Sequence, residues 1–123
     1  MLSESRLSGA IVDAACEVHS ILGPGLLESV YEAALVHELR ERKLAITRQT
    51  APAVAYKRLV IPNALMLIGN RVIVELQAAD AITNVHKQQL LTYLWRSGYQ
   101  PGLLINFNTD LIKNVRTRLA NGL

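Results

Sequence analysis

At Leu44 the apolar pattern of the chain changes period, and that change limits the folds open to it. Before it, Leu7, Ile11, Ala14, Val18 and Ile21 recur at spacings of four and three, the stripe of a helix from about Ser5 to Leu22. Gly23-Pro24-Gly25 stops that helix. Leu27, Tyr31, Ala34, Leu35 and Leu39 mark the inner side of a second one, which ends in Arg40-Glu41-Arg42-Lys43, where cations suit the negative end of the dipole. After Leu44, β-branched and apolar blocks broken by turn residues predict strands near Ala45–Gln49, Ala53–Leu59, Ala64–Ile68 and Arg71–Leu76, the last two joined at Gly69-Asn70. A third helix runs from the N-cap Thr83 to Ser97, burying Leu90, Leu91, Leu94 and Trp95, and Gly98 ends it. Gly102 to Phe107 is a short apolar run of the kind that fills a central strand covered on both faces. A final helix is expected from about Thr109 to Leu119. The order ααβββ(β)αβα predicts an α/β (α+β) fold, a mixed central β-sheet flanked by helices.

At 123 residues the chain fits one domain spanning 1–123. Half its residues are apolar and 19% are charged, which excludes disorder. No apolar run reaches the ~18–20 residues that span a bilayer, and Met1 to Arg6 lack the start of a signal peptide, so a cytoplasmic protein without a membrane partner is expected. The single Cys16 makes neither an internal disulfide nor a multi-cysteine zinc site. A net charge of +3 permits contact with phosphates without demanding it. The basic groups Arg40, Arg42, Lys43, Arg48 and Lys113, Arg116, Arg118 sit where helix ends or solvated faces carry them.

Three constellations bear on chemistry. Glu75 and Gln77, two apart at a strand end, project from one face, placed either to address one ion or phosphate together or to leave Glu75 as an ordinary, partly exposed carboxylate at a strand end. His86, Gln89 and Tyr93 share one stripe of the third helix beside its apolar stripe, placed either to face a cleft or to form an ordinary polar margin. Glu28 and Tyr31 follow the Gly-Pro-Gly turn, where the helix dipole favours a carboxylate. Metal-assisted phosphodiester cleavage needs at least two carboxylates and a lysine or its equivalent. Between Glu41 and Glu75 the sequence has no Asp or Glu, and a hairpin turn at Gly69-Asn70-Arg71 sets the apolar Leu65 opposite Glu75. His19 and His37 lack ligand-spaced companions, and no phosphate-binding loop, nucleophile elbow or Cys/His cluster is present.

Gly25-Leu26-Leu27-Glu28-Ser29-Val30-Tyr31, Val72 to Ala78, His86, Gln89 to Leu94 and Gly102 to Phe107 follow, in order, the motifs of the bacterial GxxExxY family. That family resembles a compact branch of the PD-(D/E)xK nuclease superfamily, with its restriction-endonuclease-like core. The resemblance implies that Glu75 is the Glu of Glu-x-Lys and that Gln89 and Tyr93 are the Gln-x-x-x-Tyr of the following helix. It also exposes two departures: Gln77 stands where the family has lysine, and Leu65 where a metal-binding Asp is expected. A neutral amide lacks the lysine's charge and leucine binds no cation.

These departures lead to the expectation of a catalytically silent module with no metal and a structural role in a homo-oligomer or larger assembly. Two rivals stay open. One is a Mg²⁺- or Mn²⁺-dependent nuclease whose ligands have moved to Glu28, Glu75 and Asp80; the other is a nucleic-acid-binding module that does not cleave. The self-associating surface is expected at Leu59, Ile61, Ala64, Leu65, Met66 and Ile68, because this segment is apolar on both alternating faces and Pro62 points to a sheet edge. Apolar residues at formerly polar positions fit either natural decay or an engineered interface.

Overall fold

Ser3 precedes an acidic first turn, and its hydroxyl accepts the Arg6 N–H, so helix α1 (Glu4–Leu22) begins at the first cap the sequence offers. The computed structural model describes residues 3–48, 54–61, 65–80, 83–98, 101–109 and 116–119. Gly23 ends α1 at φ 68°, and α2 (Glu28–Glu41) returns antiparallel against it. The strands are β1 (Ile46–Arg48), β2 (Val54–Tyr56), β3 (Leu59–Ile61), β4 (Met66–Ile68) and β5 (Val72–Gln77), followed by α3 (Asn84–Ser97), β6 (Gly102–Asn106) and β7 (Arg116–Leu119). No helix among the described residues is long and apolar enough to cross a membrane.

The main sheet runs β1-β4-β5-β6-β7, mixed because β5 and β6 are parallel and every other pair is antiparallel. The α3 crossover is what allows the parallel pair. Gly69 and Asn70 both take positive φ, and Arg71 N–H donates to the Ile68 carbonyl, closing the β4–β5 turn as expected. A Cβ at Gly69 would lie 2.8 Å from a terminal methyl of the buried Leu7 of α1, so a side chain there must displace Leu7 as well as hold a left-handed φ.

The sheet carries a core on each face. Against α1 and α2 lie Met66, Ile68, Val72, Val74, Leu76, Leu103 and Ile105; against α3 lie Leu65, Leu67, Ile73 and Leu104 with Leu90 and Leu94. Alternating residues of β4 and β5 are therefore all buried, the mark of a strand covered on both sides.

Four expectations change. The segment expected as one strand over Ala53–Leu59 is instead a separate β2–β3 hairpin turning at Lys57, whose φ is +56°. The expected final helix gives way at Arg116–Leu119 to a strand on the open edge of β6, where the backbone groups of β6 gain partners; residues 110–115 lie outside the described set. Trp95 lies on the outer face of α3, 76% exposed, because the helix turns only Leu90 and Leu94 fully onto the sheet. Finally, Leu65, Met66 and Ile68 are buried within one chain, Leu65 under α3 and the other two under the helical hairpin, so they offer no face to a second copy. Leu59 and Ile61 belong to β3, in the smaller sheet, and Ala64 lies outside the described residues.

Candidate functional site

The carboxyl end of β5, the start of α2 and the start of α3 meet at one place. Glu75 shares the α3 side of β5 with Ile73, since residues two apart project alike. It is 4% exposed, and its Oε1 accepts a hydrogen bond from Gln89 Nε2 at 2.8 Å. Its Oε2 is buried without a hydrogen-bond partner. Burial pushes the carboxyl up to about 7 and the nearby Glu28 carboxylate pushes the same way, while the Gln89 and Gln77 amides offset part of the shift.

Glu28, in the first turn of α2, is raised from its ordinary range chiefly by burial and also by Glu32, with the Ala78 backbone N–H and His86 acting against both. Glu28, Ser29, Glu32 and Leu76 line a cleft of about 290 Å³. The part played by Glu32 was not foreseen, although its place one turn after Glu28 is a readable signal. Glu32 also binds Arg48 of β1 at 2.8 Å, and Arg42 pairs with Glu38, which accounts for two members of that basic group as solvated ion pairs.

Of the other expected site residues, His86 completes a capping box with Thr83, its Nδ1 accepting the Thr83 N–H at 3.0 Å. Tyr93 packs half-buried against the α3-side core. Asp80 is not part of the cluster: its carboxylate accepts from Asn108, and it lines a separate cleft with Pro24, Gly25, Asn108 and Thr109. Tyr31 is fully buried and its ring stacks on Phe107 at 4.7 Å; its hydroxyl donates to the Gly23 carbonyl at 2.6 Å and accepts the Leu26 N–H at 3.1 Å. In Gly25-x-x-Glu28-x-x-Tyr31 the tyrosine thus clasps the turn while the glutamate reaches the cleft.

A family model described as the PD-(D/E)XK nuclease superfamily matches residues 5–119. The chain belongs to that superfamily. The fold of this PD-(D/E)XK protein agrees: a mixed sheet with helices on both faces and Glu75 near the end of the strand before the parallel crossover. No curated protein and no solved structure matches it.

A divalent cation, which this superfamily implies, fits the residues present poorly. One step beyond the Met66↔Val74 pair, Leu65 faces Glu75 across the hairpin, 2% exposed. Among the described residues no three His, Cys, Asp or Glu side chains are grouped to hold a metal ion. A hard cation needs about six oxygen ligands, and here Glu75 lies among an apolar side chain and neutral amides, with Glu28 as the one carboxylate shown near it.

Glu75 supplies a pH prediction. Its pKa is raised on folding, so the native state holds a proton that the unfolded chain releases at about 4.5. The stability this confers is fully present below about 4.5 and is lost as pH rises toward about 7. Thermal melts from about pH 5 to 8 are expected to show falling stability, on the order of 3 kcal/mol across the full titration. In Glu75→Gln most of that slope disappears and the variant is the more stable protein at the alkaline end. Parallel slopes in the two proteins would show that Glu75 is ionised and well solvated.

Proposed function

We propose that this PD-(D/E)XK protein is a catalytically silent member of its superfamily whose role is structural. The observation that carries the reading is Leu65, buried in the α3-side core across the hairpin from Glu75. A cleavage site needs a second hard ligand there to hold a cation against a phosphate, and a charge at position 77 to meet the developing negative oxygen. The resemblance to the GxxExxY family, in which these positions are degenerate in this chain, points the same way. The Glu28 and Glu75 pair is the best support for relocated metal ligands, but their two carboxyls hold protons more tightly than ordinary ones, which competes with metal.

Incubation of the purified chain with single- and double-stranded DNA in Mg²⁺ or Mn²⁺ is expected to leave both intact. Calorimetric titration of either ion is expected to give no saturable heat. Cleavage or binding by the unmodified chain that is lost in Glu75→Ala would replace this reading with the relocated-site nuclease.

A further inference from the structure

Three polar or charged side chains are buried among the described residues, and such burial costs free energy unless hydrogen-bond partners are supplied. Glu75 belongs to the cluster already described. The other two, His19 and Asn106, both hold the walls of a second cleft. Asn106, at the end of β6, accepts the N–H groups of Ala79 and Asn108 on its Oδ1, and its Nδ2 donates to the Ala79 carbonyl. It thereby ties the chain leaving β5 to the chain leaving β6. His19, in the last turn of α1, donates its Nε2–H to the Thr109 carbonyl, since a carbonyl oxygen only accepts. The Tyr31 hydroxyl holds Gly23 and Leu26, on either side of Pro24-Gly25.

Pro24, Gly25, Asp80, Asn108 and Thr109 line this cleft, of about 430 Å³. Asp80 follows β5 and Asn108 follows β6, so the cleft lies beyond the carboxyl ends of the parallel pair, where open sheets form their ligand crevices. Its volume suits a small organic molecule and far exceeds that of a bare ion. Its side chains present acceptors. The Asp80 carboxylate takes a hydrogen bond from Asn108 Nδ2 at 3.0 Å, which leaves the Asn108 Oδ1 as an acceptor beside it. Thr109 adds a hydroxyl, and Pro24 has no N–H to give. No Lys or Arg is among the described residues that line the cleft. Glu32 and Glu38 meet Arg48 and Arg42, whereas the partner of Asp80 is a neutral amide.

We propose that this cleft binds a small primary amine, its ammonium group held by Asp80, Asn108 and Thr109 and its carbon chain lying along Pro24 and Gly25. An ammonium group has three donors and no acceptor, the complement of a carboxylate, an amide oxygen and a hydroxyl. Its bond to the carboxylate is of the strong, charge-assisted kind. A phosphate or carboxylate ligand would instead meet the Asp80 charge with no cation in the described lining to offset it. A divalent ion would find one carboxylate in a space built for something larger. Because His19 and Asn106 already fix the walls, binding requires little ordering of the protein. The site is independent of whether Glu75 retains any chemistry.

Titration of the full chain with butylamine at neutral pH, followed through assigned backbone amide resonances, tests it. Saturable shifts are expected at Gly25, Asp80, Asn108 and Thr109, with a Kd on the order of 1 mM. Butanol, the same carbon chain without the charge, and tetramethylammonium, the charge without an N–H, are expected to produce none. Asp80→Asn keeps an oxygen for Asn108 and removes the charge at an exposed position. It is expected to keep the melting temperature and to weaken amine binding about tenfold or more, the scale of one hydrogen bond to a charged group. Asp13→Asn, the same change at an exposed position of α1, is expected to leave the affinity unchanged. The absence of saturable shifts, equal shifts from butanol or tetramethylammonium, or equal weakening in the two variants would each overturn the proposal. Shifts confined to Glu75 and Gln89 would overturn it as well, by placing the amine at the carboxyl cluster.

Discussion

Leu65→Asp is expected to cost about 3–5 kcal/mol of stability at neutral pH, the range for a buried charge left without a partner. The leucine is 2% exposed in a cluster with Leu67, Ile73, Leu90, Leu94 and Leu104, so the new carboxylate loses its water and gains no donor there. It also arrives opposite Glu75, whose carboxyl burial has already pushed up to about 7. Two carboxyls so placed share one proton, which makes the loss smaller in acid and larger in base. Mg²⁺ or Mn²⁺ is then expected to recover part of the melting temperature in Leu65→Asp, and less in Leu65→Asp with Gln77→Lys, whose ammonium competes for the same carboxylates, while leaving the unmodified chain unchanged. The same ions raising the melting temperature of the wild type would mean that cation ligands already stand beside Glu75. A Leu65→Asp variant as stable as the parent would mean that position 65 is open to water and that the core reading of β4 is mistaken.

The distinction between core and surface at β4 is also where sequence and structure part. Alternation cannot separate a strand buried on both faces from one that lends a face to a partner, because both read as unbroken apolar sequence. Leu65 to Ile68 took the first course because α3 lies over one face and the helical hairpin over the other, a fact set by packing between segments far apart in the chain. Locally encoded features were legible: the caps at Thr83 and Gly98, the positive-φ turn at Gly69-Asn70 and the stop at Gly23 each depend on a few neighbouring residues. The contact of Glu75 with Gln89 was not legible: strand and helix periods put each on a face of its own element and the resemblance named both as site positions, but their meeting depends on how α3 packs over β5. The strand at Arg116–Leu119 was not legible, since its partner is the edge of β6 and eleven residues of mixed pattern read equally well as a helix. Trp95 misled for a similar reason: it neighbours Leu94 in sequence but is turned about 100° from it around the helix axis.

Tyr31→Ala is expected to destabilise by about 3–5 kcal/mol, a large share of the ~5–15 kcal/mol that holds a typical domain. The residue joins three functions that alanine removes together. Its ring is fully buried and stacks on Phe107 with planes 6° apart, tying α2 to the end of β6. Its hydroxyl donates to the Gly23 carbonyl and accepts the Leu26 N–H, two backbone groups that the left-handed Gly23 and Gly25 keep out of helical bonding. Tyr31→Phe separates the contributions: keeping the ring and losing the hydroxyl is expected to cost about 1–2 kcal/mol, the scale of buried backbone groups left short of a partner. Because the stacked ring is kept, Tyr31→Phe is also expected to preserve the fall in stability with rising pH that reports the burial of Glu75. Denaturant melts at several pH values measure both quantities at once. If the phenylalanine variant loses as much as alanine, the turn clasp and not the stacked ring holds the hairpin to the sheet, and the position of Glu28 depends on Gly23 and Leu26 instead of on Phe107.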